Sequence, residues 1–548
     1  MMWTSVSTVG DLVDRQAERS DAVALVMPGV RLTYPELSGA SDAFAASLLA
    51  LGVARGDKVG ILMPNSLDFV LSFLAIAKIG AVAVPINGRF KSHETSYVLD
   101  HADLKVLLTD ADPSGTDYPA LVAGVLAARD SSGDVSFGSL EHVVSLGKPV
   151  DGFRTREDFL RGGEEITREQ VKISQSRVRV RDIALLMYTS GTTARPKGCL
   201  LTHEALTRQG EKVARTRLLL TETDALWDPL PLYHCGGIVP MLGSFSVGAK
   251  YCHAGFFDAD EAITTIETER CTVLYPSFEA IWLPIIDHPR FADADFHHVR
   301  LIQNIATPER MAQFEERMPW ARQVTSYGST ECATNLTMGH PEDSFEVRTR
   351  TLGKPVEGME IRIVDPETGA QVPPGVMGEL CFRGYSAFEG YYKAPEQTSQ
   401  VFDADGFFHS GDRASVDEQG NLVYGGRLKD MLKVGGENVA AIEVEDFLSR
   451  HPAVRIVQVV GAADDRYGEV PAAFVQLAAG VEVSEQELIE FCVGRIATYK
   501  VPRYVRFVDS WPMSGTKVRK VELRERLAAE LTAADVTVAP RIDGRTQD

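Results

Sequence analysis

Residues 35–85 read PELSGASDAFAASLLALGVARGDKVGILMPNSLDFVLSFLAIAKIGAVAVP, and their periodicity decides the fold class. From Pro35 to Leu51 the apolar residues Leu37, Phe44, Leu48 and Leu51 recur at helical spacing, and Gly52 stands where a C-terminal cap belongs. Lys58 to Met63 reads as a short strand. A second helix, Leu67 to Lys78, is closed by Gly80 ahead of the apolar strand Ala81 to Pro85. Buried strands alternating with amphipathic helices predict an α/β protein, a mainly parallel sheet with helices on its faces.

Downstream, the pattern weakens between Ala111 and Asp182, where SSGD and RGGEE clusters predict long surface connections, and it resumes at Ile183. From Gly353 to Tyr424 short strands alternate with the turn signals DPETG, PPGVMG, DADG and DEQG, which predicts a small, mostly β subdomain. After Gly426 a new α+β unit begins, with a helix at Glu443 to Ser449, a strand at Val454 to Gly461 and a helix at Glu485 to Ile496.

The 548 residues, 44% hydrophobic and 24% charged, suit a soluble globular chain of several packing units. With 56 basic against 76 acidic residues the net charge is −20, the wrong sign for a nucleic-acid or anionic-membrane partner held by bulk electrostatics. Seven widely spaced cysteines with no CxxC pair argue against a disulfide framework or a zinc site and for a reducing compartment. The opening MMWTSVSTVGDLVDRQ does not read as a signal peptide, so none is expected, and the apolar run Phe69 to Ala77 is too short to cross a bilayer. A cytoplasmic protein without a membrane span is expected.

The strongest chemical signal is Tyr188-Thr189-Ser190-Gly191-Thr192-Thr193-Ala194-Arg195-Pro196-Lys197-Gly198. It follows an apolar strand and joins glycines, hydroxyls and one lysine in a loop, as a polyphosphate cradle requires. It is not a Walker A loop, because Lys197 precedes its glycine. At this string the sequence resembles the adenylate-forming superfamily of acyl-CoA synthetases, peptide-synthetase adenylation domains and beetle luciferases. The resemblance runs from LTYPEL (32–37) and GAVAVPIN (80–87) to KVRKVELRE (517–525). Between them PLPLYHCGG (229–237), SYGSTE (326–331), GELCFRG (378–384), FHSGD (408–412) and GRLKDMLKVGGENV (426–439) follow in the family's order.

The resemblance implies an α/β architecture: a large N-terminal domain (1–428) of layered subdomains plus a small β subdomain, and a mobile C-terminal α+β lid (429–548). By resemblance Thr189, Ser190, Gly191, Thr192, Thr193 and Lys197 grip the β- and γ-phosphates of ATP, Thr330 the α-phosphate and Glu331 the Mg2+ ion. Tyr327 with Gly328 meets adenine, and Asp412 and Arg427 hold the ribose. His234, Cys235, Gly236, Phe278, Ile305, Ala306 and Cys332 border the acyl site, a mostly small and apolar set with no cation for a second carboxylate. Lys429 matches the family's hinge, Gly435 and Gly436 the pantetheine tunnel of coenzyme A, Lys433 a lysine that some members use in the second half-reaction, and Lys517 the lysine bridging carboxylate and α-phosphate.

Two segments depart from the family's pattern. Gln303-Asn304-Ile305-Ala306-Thr307 replaces a Gly-Gly-Ala-like wall, and Pro512-Met513-Ser514-Gly515-Thr516-Lys517 is one residue short and lacks glycine directly before lysine. The implied activity is an AMP-forming acyl-CoA ligase acting on an apolar carboxylic acid. Its alternatives are a ligase that takes a preformed acyl adenylate from a partner enzyme, a ligase for an acyl carrier protein, and a non-catalytic acyl-nucleotide binding protein.

Overall fold

The computed structural model describes residues 7–113, 115–132, 138–189, 196–428, 431–434, 437–514 and 517–542. They form two compact units: Met1–Glu360 with Phe382–Phe408, and Ile361–Cys381 with His409–Asp548.

The first unit holds two seven-stranded sheets. One runs, in spatial order, through Arg154–Thr155, His142–Ser145, Leu104–Thr109, Lys58–Leu62, Val82–Pro85, Ile183–Thr189 and Lys197–Thr202, parallel except for the last pair. The other runs through Arg322–Val324, Leu301–Ile305, Val273–Phe278, Ala225–Trp227, Lys250–Cys252, Val23–Met27 and Val30–Thr33. The expected alternation is present: Tyr34–Ala50 is a helix opened by a Thr33/Glu36 capping box, and Leu67–Lys78 a helix capped by Ser66. Lys78, wholly buried, is held by Asp14 at 2.8 Å, Asp42 at 2.5 Å and the Ser38 carbonyl at 3.1 Å.

Residues 111–182 correct the expectation of long connections. They contain the helices Tyr118–Ser132, Arg156–Gly163 and Arg168–Ser176 and the strands His142–Ser145 and Arg154–Thr155. The short helices are anchored by one or two core residues each, Phe159 and Val171 among them, so their apolar periodicity is faint. Thr155 and Thr167 cap their starts and Gln170 completes a capping box, a signal that the reading by apolar periodicity passed over.

The second unit takes in most of a four-stranded sheet (Met359–Val364, Gly378–Gly384, Phe408–Val416, Leu422–Arg427) and a five-stranded sheet built on the long hairpin Val454–Asp464/Gly468–Leu477. The helix expected from Glu443 spans Ala441–Leu448. The one expected to reach Ile496 stops at Cys492, where Val493 turns extended and Gly494 adopts φ +72°. All seven cysteines are buried with free thiols. Among the described residues no helix is long and apolar enough to cross a membrane.

Candidate functional site

In the first unit the phosphate-type loop is presented by an antiparallel pair. Ile183–Thr189 and Lys197–Thr202 are paired from Ile183↔Thr202 to Thr189↔Lys197, so the two ends of the loop meet and the Thr189 hydroxyl lies 3.4 Å from the Lys197 carbonyl. Gly198 leaves room for Leu186, whose Cδ1 a Cβ would meet at 2.7 Å. Ser190, Gly191, Thr192 and Thr193 lie outside the described residues. A cavity of about 390 Å³ opens beside the loop's end, lined by Tyr97, His101, Lys197, Tyr391, Tyr392 and Lys393 among others.

The SYGSTE segment sits on a turn that leaves little freedom. A Cβ on Gly328 would lie 1.3 Å from the Thr334 carbonyl, so only glycine fits. Beyond it Thr330–Cys332 forms a 3₁₀ turn, and Ala333 and Thr334 take φ values of 51° and 84°. Non-glycine residues held in the left-handed region are strained, a cost that surrounding structure has to over-determine. Here that structure is a buried polar lattice. Ser277 Oγ donates to Gln303 Oε1 (2.6 Å), Gln303 Nε2 and Asn335 Nδ2 both donate to Ser326 Oγ (2.9 and 3.0 Å), and Tyr275 donates to Asn335 Oδ1 (2.7 Å). Tyr327 is buried, while Thr330 and Glu331 are half-exposed.

Tyr391, which the sequence reading did not single out, joins these two pieces. Its ring lies under the Lys197 ammonium, 4.8 Å from Nζ to the centroid, and its hydroxyl donates to Glu331 Oε1 at 3.3 Å. The Phe388 N–H also donates to the Glu331 carbonyl (2.9 Å), and the Tyr392 N–H to that of Gly198 (2.7 Å). Lys197, Tyr391 and Glu331 thus stand in a row. The signal available was the aromatic run FEGYYKAP (388–395).

On the acyl side, His234 is the N-cap of the helix Cys235–Val247, with its ring 4.9 Å from that of Tyr233. Gly236 packs on Leu230, whose Cδ1 a Cβ would meet at 3.0 Å. Phe278 and Ile305 are cross-strand partners at the last residues of neighbouring strands, and Ala306 follows. Of the two bulky residues in the altered 303–307 wall, Asn304 turns away to donate to Gln323 Oε1 (2.9 Å), and Ile305 alone stays exposed. Burial pushes the Cys332 thiol up to about 12 and raises Cys235 as well, so both remain protonated small hydrophobes.

In the second unit Asp412 and Arg427 face each other across neighbouring strands, Arg427 Nε 3.0 Å from Asp412 Oδ1, with the carboxylate buried and the guanidinium 41% exposed. The strand carrying Asp412 is braced by Glu379, whose Oε1 accepts the Gly411 N–H (3.0 Å) and whose Oε2 meets His409 Nδ1 (2.8 Å). Glu379, Cys381 and His409 gather potential ligand atoms within 4.8 Å of one another, a grouping that spacing alone did not reveal because 28 residues separate Cys381 from His409. Lys429, Gly435 and Gly436 lie outside the described residues. For Lys433 and Lys517 the backbone is described: Lys433 pairs with Asn438, and Lys517 opens the second strand of a short hairpin, opposite Ser514.

The family model of the AMP-binding enzymes matches residues 12–392, and that of the AMP-binding enzyme C-terminal domain matches 443–517. The putative acyl-CoA synthetase YngI of Bacillus subtilis (strain 168) is 34% identical over 95% of this chain and 97% of its own. The mitochondrial medium-chain acyl-CoA ligase ACSF2 of Rattus norvegicus is 31% identical over 96% of this chain and 88% of its own. Among solved structures, the anthranilate CoA ligase AuaEII in complex with anthranoyl-AMP superposes with a TM-score of 0.85 at 28% identity, covering 96% of this chain and 98% of that one.

Proposed function

The chain belongs to the AMP-binding enzyme family and is an AMP-forming acyl-CoA ligase, and from that premise we propose that its acid is an apolar monocarboxylate, medium in length or bulky and cyclic, activated with MgATP and passed to coenzyme A in the cytoplasm. The observation that carries the adenylating reading is the row Lys197–Tyr391–Glu331, which sets a cation and a carboxylate side by side at the end of the loop. Small apolar residues around His234 and Phe278, and relatives named for medium-chain acids and anthranilate, support the choice of acid.

In this reading the loop from Thr189 to Lys197 holds the β- and γ-phosphates and Thr330 the α-phosphate. Glu331, an accessible hard-oxygen donor, is chemically suited to Mg2+, and an ion held there would offset the charge of the phosphate oxygens. Tyr327 stacks on adenine. Asp412 accepts from the ribose hydroxyls while Arg427 fixes its carboxylate. A carboxylate oxygen of the acid attacks the α-phosphorus, the bond to the β-phosphate oxygen breaks, and pyrophosphate leaves. Lys517 opposes the charge that builds on the phosphorus. The lid, residues 429–548, then turns about Lys429, so that Gly435 and Gly436 border the pantetheine arm and Lys433 serves the second step. The coenzyme A sulfur attacks the acyl carbon, and AMP departs with the electron pair of the cleaved C–O bond.

A carboxylic-acid panel scored by pyrophosphate exchange and by thioester formation tests this. Hydrophobic acids should outcompete acetate and malonate by orders of magnitude, since each buried methylene is worth about 0.8 kcal/mol. Acetate or malonate as the best substrate would overturn the choice of acid. Failure of exchange with every acid, together with rapid conversion of a synthetic acyl adenylate, would install the adenylate-accepting reading.

A further inference from the structure

The turn from Pro229 to Gly237 carries His234 and Cys235, yet its backbone is held by three buried polar side chains that the reaction does not call on. Asp228, with no exposed surface, accepts the Leu230 N–H on Oδ1 at 2.9 Å. The Tyr251 hydroxyl, equally buried, lies 3.2 Å from Asp228 Oδ2 and 3.3 Å from the Gly237 carbonyl. His253 Nδ1 accepts the Gly255 N–H (2.8 Å), which places its proton on Nε2, and Nε2 donates to the Leu230 carbonyl (3.0 Å). Leu230 is therefore gripped by both its N–H and its C=O, and Gly237 by its C=O.

The two ends of the turn also close on each other. A Cβ on Gly237 would stand 2.6 Å from the Leu230 carbonyl and 2.7 Å from that of Pro231, so the approach that these bonds secure is tight enough to require glycine. Among the described residues no lysine or arginine forms an ion pair with Asp228. Burial raises the Asp228 carboxyl well above the usual carboxylate range and lowers His253. The Tyr251 hydroxyl is the donor, within reach of both Asp228 Oδ2 and the Gly237 carbonyl. The result is a chain of contacts from Asp228 through Tyr251 to the first turn of the helix that His234 caps.

We propose that Asp228, Tyr251 and His253 are positioning residues for acid binding: they fix both ends of the Pro229–Gly237 turn and thereby the placement of His234 at the acyl site. The proposal rests on the assignment of His234 to that site made above. Asp228 acts through its hydrogen bonds to the Leu230 N–H and the Tyr251 hydroxyl, which an amide can keep and an alkyl group cannot.

The test is steady-state thioester formation by Asp228→Asn, Asp228→Ala and Tyr251→Phe, with KM measured separately for the best acid and for ATP. Asp228→Asn should stay within about two-fold of wild type, because its carboxamide still accepts from the Leu230 N–H and keeps a hydrogen bond to the Tyr251 oxygen, whose proton can turn to the Gly237 carbonyl. Asp228→Ala and Tyr251→Phe should raise the acid KM about ten-fold, the scale of leaving one buried polar group unpaired, with the ATP KM within about two-fold. If the alanine variant does not fold, the asparagine and phenylalanine variants decide. An asparagine variant as impaired as Tyr251→Phe, or a Tyr251→Phe that moves the ATP KM as much as the acid KM, would overturn the proposal. Wild-type enzyme that forms no thioester from any acid would instead remove the ligase reading, whereas normal turnover with an acid KM indifferent to Tyr251→Phe would remove this proposal alone.

Discussion

The two compact units support their chemistry in different ways. In the first, the turn bearing Thr330 and Glu331 rests on wholly buried amides and hydroxyls, Gln303, Ser326 and Asn335 among them, and its strained Ala333 and Thr334 backbone persists because that lattice leaves no alternative. In the second, Asp412 and Arg427 pair across strands with one partner partly exposed, and the brace behind them is the half-buried Glu379–His409 pair. Buried polar groups are costly to repack and so define one geometry. Exposed pairs contribute little to stability but can be remade. The first unit holds its turn still through buried polar contacts, and the second presents a few side chains from strand ends and a short hairpin.

The largest expected effect tests that division at its extreme. Lys517 opens one strand of a hairpin with only two residue pairs, Met513↔Val518 and Ser514↔Lys517. If its charge opposes the charge developing on the α-phosphorus, Lys517→Ala should slow pyrophosphate exchange by roughly two to four orders of magnitude, while the melting temperature hardly moves. Coenzyme A attack on a supplied acyl adenylate should be much less affected. A variant that lost both steps equally would show that the hairpin serves the fold rather than the reaction.

Acidification should separate the units next. His203 and His253, both in the first unit and both buried, are pushed from 6.5 down to about 4, chiefly by desolvation. Between those values the unfolded chain binds more protons than the native one. The stability these groups contribute is therefore complete above pH 6.5 and is lost as pH falls toward 4, a few kcal/mol for each histidine. The second unit has no histidine so deeply placed among its described residues: His451 is lowered more modestly, mainly by partial burial. Residue-resolved hydrogen exchange at pH 5 should show protection falling in the first unit while the hairpin Val454–Asp464/Gly468–Leu477 keeps its own. Simultaneous loss would mean that the units unfold as one.

The same contrast explains what was legible in the sequence. The helix Leu67–Lys78 was readable because Ser66 and Gly80 mark its ends and its interior is apolar but for Ser72. The helix Arg168–Ser176 was not, because it buries only Val171 and Gln175, and there the capping signal outweighs periodicity. The ordered motifs named Lys197 and Glu331, but not the tyrosine that lies between them. The Gln303–Ser326–Asn335 lattice consists of polar residues that read as surface until strand pairing buries them. Tyr391 was hidden for a similar reason. It lies 60 residues from Glu331, and only the threading of 388–392 beside Lys197–Thr202 brings the two together.

Tyr391 also offers the smallest and sharpest of these tests, since it touches the site in two separable ways. Tyr391→Phe keeps the ring under Lys197 and removes only the hydroxyl that Glu331 accepts from. A single hydrogen bond to a half-exposed carboxylate is worth about 0.5–1.5 kcal/mol, so the KM for MgATP should rise roughly three- to ten-fold, with little change in the acid KM. Tyr391→Leu also removes the cation–π contact, worth a further 0.5–1 kcal/mol or so at a partly exposed site, and should add a few-fold more. If the two variants match, the ring contributes nothing and Lys197 is placed by its strand alone. If Tyr391→Phe is silent, Glu331 is oriented by its backbone contact with Phe388, and the rigidity of the first unit reaches that carboxylate through the main chain rather than through a side chain.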